Sequence, residues 1–367
     1  MKPTKLKGEA FMQKLNVAII GQGRSGRNIH GKYFHSDKNV FYSVKYIVEE
    51  DEYRRKKAEK EFEGAIGISD YRELFDKNDV DVVVNASYSE MHYPISLDLI
   101  EHGKNVVVEK PFGRNKYECE NLIKAAKDKG VYLGVFQQSF LAPYFLFTKK
   151  VISEGKLGEI KAINIKFNGF ARRWDWQTLQ KKCAGGLFNT GPHPVGLALD
   201  LLGFDKNTKV VYSNLATAMT SGDADDYAKL ILTAPGKPFV DVEVSSIDAY
   251  NDYNIKIQGS RGTYKCSIEK YFMIYIVDGE NPERPVSETF IFGEDREPVY
   301  CKENLKKHVE EGSFEGDAFS VGTPSYYEQL YYYITENRPM TVTPEMASDV
   351  ISVISTVVSE NPLPVKF

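Results

Sequence analysis

The chain has 367 residues, of which 42% are hydrophobic and 27% charged, and its net charge is −4 at pH 7. This balance is typical of a soluble globular protein with two domains and excludes a disordered chain. No basic block and no apolar run of about 20 residues occurs, so we predict neither nucleic acid nor membrane as a partner. The four cysteines are far apart and include no Cys-x-x-Cys pair, so we predict no disulfide framework and no bound metal. Residues 1–14 lack the apolar core of a secretory signal and are predicted as a short leader of a cytoplasmic protein.

The first half of the chain alternates short apolar runs with polar, helix-like segments. Strands are predicted over 15–20, 44–48, 80–86, 105–108 and 131–136, and helices over 54–62, 93–102 and 117–129. The apolar runs show no alternation, which is typical of a parallel sheet buried on both faces. We therefore predict a Rossmann-type, doubly wound α/β domain over residues 15–140.

The pattern changes after about residue 150. Partly alternating strands are predicted over 160–167, 210–218, 228–232, 240–246 and 253–258, and two helices over 326–336 and 344–360. Strands that follow one another in this way favour an antiparallel sheet. We predict an α+β domain over residues 141–367, whose last helices could instead pack on the first domain.

A glycine-rich loop follows the first strand, with the sequence Gly21-Gln22-Gly23-Arg24-Ser25-Gly26. In a dinucleotide site the first glycine makes the turn, the second lets the backbone approach the pyrophosphate, and the third lets the helix pack on the strand. Glu49 lies 23 residues beyond Gly26, near the interval of about 20 residues expected for a ribose-binding carboxylate. A carboxylate repels a 2′-phosphate, so we predict NAD, with NADP as the alternative that Arg24, Arg54 and Arg55 would allow. The competing interpretation of the loop is a purely structural turn.

Glu109-Lys110-Pro111 ends the fourth predicted strand, and parallel sheets bind ligands at the carboxyl ends of their strands. Proline disfavours the α-helical region for the residue before it, which holds Lys110 extended. We predict that the Lys110 ammonium lies at the nicotinamide end of the cofactor site and hydrogen-bonds a substrate hydroxyl. Glu109 is predicted to lie beside the cofactor.

With these residues, the chain resembles the Gfo/Idh/MocA family of sugar and polyol dehydrogenases from about residue 15 to its carboxyl end. Further stretches that carry the resemblance are Gly155-Lys156-Leu157-Gly158-Glu159-Ile160, Ile257-Gln258-Gly259-Ser260-Arg261-Gly262-Thr263 and Val342-Thr343-Pro344-Glu345. The resemblance implies an open-faced, mostly antiparallel sheet in the second domain, used for contacts in a homodimer or homotetramer. It also implies a small carbohydrate or polyol substrate. Ala86, Ser87 and His92 lie where the family places cofactor contacts, although Asn85-Ala86-Ser87 replaces its common threonine-proline pair.

A second family hallmark is a glycine-rich turn followed by an aspartate and, four residues later, a histidine. Here the segment is Gly185-Gly186-Leu187-Phe188-Asn189-Thr190-Gly191-Pro192-His193, so His193 matches and Asn189 replaces the aspartate. Pro192 predicts a helix start, and a helix amino terminus disfavours imidazolium, which keeps His193 neutral. Asparagine cannot take a proton. We predict His193 as the acid/base and Lys110 as its hydroxyl-polarising partner, whereas the structural alternatives are a capping or core histidine and a turn asparagine.

The segment Arg172-Arg173-Trp174-Asp175-Trp176 precedes this hallmark and contains both tryptophans of the chain. Indole faces stack on sugar C–H surfaces, and arginine holds hydroxyls or an acidic group. We predict substrate contacts from Arg172, Arg173, Trp174 and Trp176, together with Asn189 and His193. The alternative is an aromatic plug between the domains.

Three functions agree with these patterns. The first is NAD(P)-dependent hydride transfer at a carbinol of a sugar, sugar derivative or cyclitol. The second is an NAD-dependent glycosidase or lyase that acts by oxidation and elimination, which the departure at Asn189 keeps open. The third is a non-catalytic NAD-binding regulator, against which the retention of both Lys110 and His193 argues.

Overall fold

The computed structural model describes residues 13–367, so residues 1–12 of the predicted leader lie outside the described residues. The first part of the chain alternates strands with helices, as predicted. Its strands are β1 (Leu15–Ile20), β2 (Tyr42–Val48), β3 (Ile66–Ile68), β4 (Val82–Asn85), β5 (Val106–Val108) and β6 (Leu133–Val135). Its helices are α1 (24–34, π-helical over Gly26–Gly31), α2 (Glu52–Glu61), α3 (His92–Glu101) and α4 (Lys116–Lys129).

The six strands form one parallel sheet in the order β3-β2-β1-β4-β5-β6. This is the strand order of the Rossmann fold, in which ligands bind beyond the carboxyl ends of the strands where the order reverses, next to β1. Every residue of β4, β5 and β6 is buried, which explains why their sequences show no alternation. The prediction of a Rossmann-type sheet is confirmed.

The second part of the chain forms a larger sheet. Helix α5 (Pro143–Glu154) leads into strand β7 (Ile160–Asn168), and helices α6 (Gly186–Asn189) and α7 (Pro192–Leu201) follow. The remaining strands are β8 (Lys209–Ala216), β9 (Tyr227–Thr233), β10 (Phe239–Ser245), β11 (Ile255–Gly259), β12 (Gly262–Cys266), β13 (Lys270–Tyr275), β14 (Ile291–Phe292), β15 (Pro298–Val299) and β16 (His308–Ser313).

Eight of these strands form one sheet in the order β16-β13-β12-β11-β7-β10-β9-β8, while β14 and β15 form a separate hairpin. Only β7 and β10 pair in parallel, which confirms a mostly antiparallel sheet. Along β9, Ala228, Leu230 and Leu232 are buried, and the residues between them are partly exposed. On that second face Lys229 lies 2.8 Å from Asp241 and 3.2 Å from Glu243, so the open face of the sheet is charged.

The two closing helices connect the sheets. Helix α8 (Thr323–Glu336) buries Tyr326, Tyr327, Leu330 and Tyr331 in one cluster with residues of β1 and β2. Helix α9 (Pro344–Glu360) packs between α4 and α7. No helix within residues 13–367 is long and apolar enough to cross a membrane.

Candidate active site

The three glycines of the loop after β1 have different surroundings. Gly21 has a φ of +87°, and a Cβ there would lie 2.5 Å from the carbonyl oxygen of Ala86. A Cβ on Gly26 would lie 1.8 Å from the carbonyl oxygen of Gly21, whereas a Cβ on Gly23 would meet nothing within 4 Å. Two glycines are thus required by packing, and Gly23 leaves space beside the first turn of α1. That space and the unpaired first-turn N–H groups of a helix fit a dinucleotide pyrophosphate.

Arg24 and Ser25 form the first turn of α1, and the Gln22 side chain is buried beneath it. The backbone N–H of Gln22 donates to Oε2 of Glu49 at 2.8 Å, which ties the loop to the end of β2. Oε1 of Glu49 accepts from the backbone N–H of Asp51 at 3.0 Å and from Arg54 at 2.9 Å. Glu49 therefore lies next to the glycine loop, and its charge is partly neutralised by the half-exposed Arg54.

The end of β4 faces the glycine loop through Ala86, as the close approach to Gly21 shows. Ser87 donates from its hydroxyl to Oδ1 of Asn85 at 2.7 Å. His92 is buried, with Nδ1 2.8 Å from the carbonyl oxygen of Pro111 and Nε2 3.2 Å from that of Ser87. Burial lowers the pKa of His92. Its ring therefore connects the β4 loop with the turn after Lys110.

Lys110 follows β5 and lies at the seam between the two sheets. Its Nζ donates to the backbone carbonyl of Asn189 at 2.8 Å and to Oδ1 of Asn189 at 3.3 Å. Gln177 donates to the same Oδ1 at 3.2 Å. Burial, together with the charges of Arg24 and Arg173, lowers the pKa of Lys110, whereas Glu109 raises it. Lys110 and Asn189, two of the predicted site residues, are thus in direct contact.

His193 lies in the first turn of α7, and its Nδ1 is 3.0 Å from the hydroxyl of Ser139. Burial and the nearby positive charge of Lys110 lower the pKa of His193 to about 3. The imidazole is therefore neutral at pH 7. The neutral ring has a free lone pair that can accept a hydrogen bond from a hydroxyl.

A polar cavity of about 140 Å³ lies beside Asn189 at the edge of the second sheet. Its lining includes Arg173, Gln177, Asn189, Thr220, Asp225 and Ser245. Hydroxyl, amide, guanidinium and carboxyl groups in one small cavity can bind several hydroxyls of a polar molecule.

The other members of the predicted substrate segment lie elsewhere. Trp174 is 75% exposed, and Arg172 is also at the surface. Trp176 packs edge-on against Tyr88 of the first domain, with ring centroids 5.0 Å apart. Of the four predicted substrate contacts in this segment, the structure places only Arg173 at the cavity. Trp176 occupies the seam, as its alternative interpretation proposed.

Asp225 explains the paired glycines that precede Asn189. Its Oδ2 accepts the backbone N–H of Leu187 at 2.7 Å. A Cβ on Gly185, whose φ is +106°, would lie 2.2 Å from Oδ1 of Asp225. Burial raises the pKa of Asp225 to about 7, although the hydrogen bond from Leu187 opposes this effect. The carboxyl group therefore positions the short helix α6 that carries Asn189.

The raised pKa of Asp225 predicts a pH-dependent stability. The folded chain retains this proton up to about pH 7, whereas the unfolded chain releases it near the ordinary value of 3.8. The contribution of Asp225 to stability is therefore fully present below about pH 4 and is lost as the pH rises to 7. Asparagine does not titrate, so we expect Asp225→Asn to reduce this pH-dependent loss in the free energy of unfolding by a few kcal/mol. Urea unfolding at pH 5 to 8 measures it, with the exposed Asp252→Asn as the control. Equal slopes for the wild type and Asp225→Asn would contradict the expectation.

Several residues of the site were not found from the sequence. Ser139, Gln177 and Asp225 belong to three separate segments that only the tertiary fold brings to His193 and Asn189. His30 is also part of the site region and is fully buried against Glu109. The only sequence signal that His30 belongs to the site was its position four residues after Gly26, one helical turn beyond the glycine loop.

A Rossmann-ordered sheet with a space at its second loop glycine, and a lysine held by Asn189 of the short helix α6, are typical of a nicotinamide-dependent oxidoreductase. Comparison with known families gives the particular class. The profile of an oxidoreductase family with an NAD-binding Rossmann fold matches residues 15–137, and that of the same family's C-terminal domain matches residues 145–265. The chain belongs to the Gfo/Idh/MocA family of oxidoreductases.

Individual relatives are distant in sequence but similar over most of their length. The scyllo-inositol 2-dehydrogenase (NADP(+)) IolW of Bacillus subtilis is 26% identical over 96% of this chain and 95% of its own. The 2,7-anhydro-N-acetylneuraminate hydratase of Escherichia coli is 23% identical over 77% of this chain and 75% of its own. The solved structure of the oxidoreductase yvaA from Bacillus subtilis superposes with a TM-score of 0.76 and 22% identity, covering 95% and 97% of the two chains.

Proposed function

We propose that this oxidoreductase transfers a hydride between NAD(P) and a carbinol of a sugar, sugar derivative or cyclitol. The contact between Lys110 and Asn189 is the observation that carries the proposal. Through this contact the Lys110 ammonium, at the carboxyl edge of the parallel sheet, reaches a residue that also lines the polar cavity. Its positive charge is near enough to the neutral His193 to lower the pKa of that ring. A hydroxyl that reaches this point meets both a hydrogen-bond donor and a proton acceptor.

The glycine loop, Glu49, Ala86 and Ser87 would hold the dinucleotide, which when bound supplies the hydride acceptor or donor. Lys110 donates a hydrogen bond to the substrate hydroxyl and stabilises the negative charge that develops on its oxygen. His193 accepts the hydroxyl proton, because a neutral imidazole has a free lone pair and the Lys110 ammonium has none. Asn189 orients Lys110 and takes no proton. In the reducing direction, His193 returns the proton.

The cavity supports a polyhydroxylated substrate. Arg173, Gln177, Thr220 and Asp225 offer both donors and acceptors, which suits a molecule whose hydroxyls do both. The related IolW acts on scyllo-inositol, and a cyclitol fits the same chemistry. The charged open face of the second sheet is the surface that we propose for contacts between copies in a homo-oligomer.

A second candidate is a lyase or hydratase that uses the bound cofactor without net turnover. Asn189, which replaces a titratable aspartate, favours it, and so does the related hydratase from Escherichia coli. Such an enzyme oxidises a carbinol, eliminates a neighbouring group and then restores the hydride. Its product differs from the substrate without a change in NADH.

The experiment that separates these functions follows nicotinamide absorbance while products are identified by mass spectrometry. The purified chain is mixed with NAD or NADP and a panel of cyclitols, sugars, sugar acids and anhydro sugars. Saturable formation of NADH or NADPH establishes the dehydrogenase. A changed product with no net absorbance establishes the lyase or hydratase. Cofactor binding without any product would overturn both.

Coenzyme choice depends on the contact between Arg54 and Glu49. The guanidinium neutralises part of the carboxylate that disfavours a 2′-phosphate, and its remaining N–H groups are exposed beside the ribose site. We expect Arg54→Ala to weaken NADPH binding about ten-fold relative to NADH, because one charge-assisted contact is lost. Titration calorimetry with both nucleotides measures it, with the exposed Arg284→Ala as control. An unchanged ratio would exclude Arg54 as a determinant.

A further inference from the structure

Three buried side chains behind Lys110 are linked by hydrogen bonds: Tyr327 of α8, His30 of α1 and Glu109 at the end of β5. The ring of His30 is fully buried, with Nδ1 2.6 Å from the hydroxyl of Tyr327 and Nε2 3.0 Å from Oε1 of Glu109. The other carboxylate oxygen of Glu109 accepts the backbone N–H of Lys110 at 3.0 Å. This series of hydrogen bonds therefore ends at Lys110, the residue that we propose to bind the substrate hydroxyl.

The donors and acceptors of this series determine where the His30 protons lie. Burial raises the pKa of Glu109, but the hydrogen bond from His30 and the charge of Lys110 bring it down to about 2. Because an ionised carboxylate only accepts, Nε2 of His30 must donate to Glu109. The other ring nitrogen, Nδ1, lies within hydrogen-bond distance of the Tyr327 hydroxyl. Glu109 and the Lys110 ammonium together carry no net charge.

Packing alone does not require these polar groups. Replacing a buried ionic pair by apolar side chains of similar size is often neutral or stabilising. His30 lies on the π-helical turn Gly26–Gly31, and a second such turn, Ala318–Gly322, precedes the helix that carries Tyr327. Single π-helical turns are rare and frequently lie at functional sites. Helix α1, which carries His30, thus contains a π-helical turn, and helix α8, which carries Tyr327, is preceded by one.

We propose that His30 is a positioning residue: with Tyr327, it holds the Glu109 carboxylate away from the Lys110 ammonium, so that this ammonium stays on Asn189 and faces the substrate. Without His30, Oε1 of Glu109 loses its donor and competes with Asn189 for Nζ of Lys110. The ammonium would then turn from the substrate hydroxyl toward the interior. His30 acts through Glu109 and touches neither substrate nor reacting atoms.

Other charged and titratable groups surround the same two residues. The groups that interact electrostatically with Lys110 are Glu109, Arg24, Arg173, His92 and His193. Those that interact with Glu109 are His30, Lys110, His92, His193, Tyr326 and Tyr327. Apart from His30 itself, none of these groups is altered when His30 alone is replaced. A change in the titration of Lys110 therefore reports on the contact between His30 and Glu109.

The test measures this titration directly. The full chain, without nucleotide, is labelled with acetic anhydride between pH 6 and 11, and acetylation of Lys110 is compared with that of the exposed Lys124 by mass spectrometry. We expect His30→Leu to raise the Lys110 midpoint by about one pH unit, because the freed carboxylate captures the ammonium. His30→Gln, whose amide can still donate to Glu109, should restore the wild-type midpoint. Glu109→Gln should lower it, and adding His30→Leu to Glu109→Gln should change nothing more.

A midpoint within about 0.3 pH units of the wild type in folded His30→Leu would overturn the proposal. An equal effect of His30→Leu in both Glu109 backgrounds would do the same. If His30→Leu does not fold, His30→Met, whose thioether cannot donate to Glu109, replaces it, and an unchanged midpoint again overturns the idea. The inference rests on the proposed role of Lys110, but labelling needs neither cofactor nor substrate. Failure of this inference and failure of the dehydrogenase assay are therefore separately visible.

Discussion

Replacing Lys110 with methionine is expected to lower kcat about 1000-fold or more while the Kd for NADH changes less than about three-fold. Methionine keeps the length of the side chain but removes the ammonium that lies 2.8 Å from the carbonyl of Asn189. The developing alkoxide then has no cationic donor, and His193 must take the proton from an unpolarised hydroxyl. Loss of the cationic hydrogen-bond donor and of the polarisation of the hydroxyl together costs about 4 kcal/mol of transition-state stabilisation.

The measurement is kcat with the best substrate of the panel, beside fluorescence titration of NADH. Lys124→Met, on the exposed face of α4, is the matched control and should be indistinguishable from the wild type. If Lys110→Met retained more than about a tenth of the wild-type kcat, His193 would carry the chemistry alone. If it lost NADH binding as well, Lys110 would be a cofactor contact instead of a catalytic residue.

The first sheet could be predicted because burial alone determines its sequence. In strands such as β4 and β5, every position is apolar or buried, so the apolar runs mark the strands directly. Strand β3 was missed because it has three residues, one of them Gly67, against which the Glu59 side chain packs. Strands β12, β13 and β16 of the second sheet were also missed, and β16 is an exposed edge rich in glutamate. Strands β3 and β16 have too little buried apolar surface to mark them in the sequence.

The parts of the candidate site that could be predicted are those whose residues lie close together in the sequence. The glycine loop and the segment from Glu109 to Pro111 each place several groups by local geometry, and the structure brings Lys110 and Asn189 into contact. The residues that support the site, in contrast, come from segments that are far apart in the sequence. Tyr327 lies 297 positions from His30, with which it shares a hydrogen bond. No periodicity or spacing encodes such a contact, because it results from how α8 packs on the first sheet.

The second large effect concerns the glycine loop, where replacement of two nearby glycines should affect stability differently. Gly23→Ala should leave the melting temperature within about 2 °C of the wild type, because its Cβ meets no atom within 4 Å. It should nevertheless weaken NADH binding about 100-fold, since the new methyl group occupies the space through which the backbone approaches the pyrophosphate. Gly26→Ala should lower both stability and binding, because its Cβ would lie 1.8 Å from the carbonyl oxygen of Gly21.

Thermal melts and NADH fluorescence titrations on the same samples distinguish the two effects. Gly169→Ala is the matched control, because a Cβ there also meets nothing within 4 Å but lies in the second domain. Wild-type NADH affinity in Gly23→Ala would show that the dinucleotide does not pass over this loop. Loss of folding in Gly23→Ala would instead show that the loop glycine serves the fold. Only stable protein that no longer binds NADH identifies the space at Gly23 as the place where the cofactor lies.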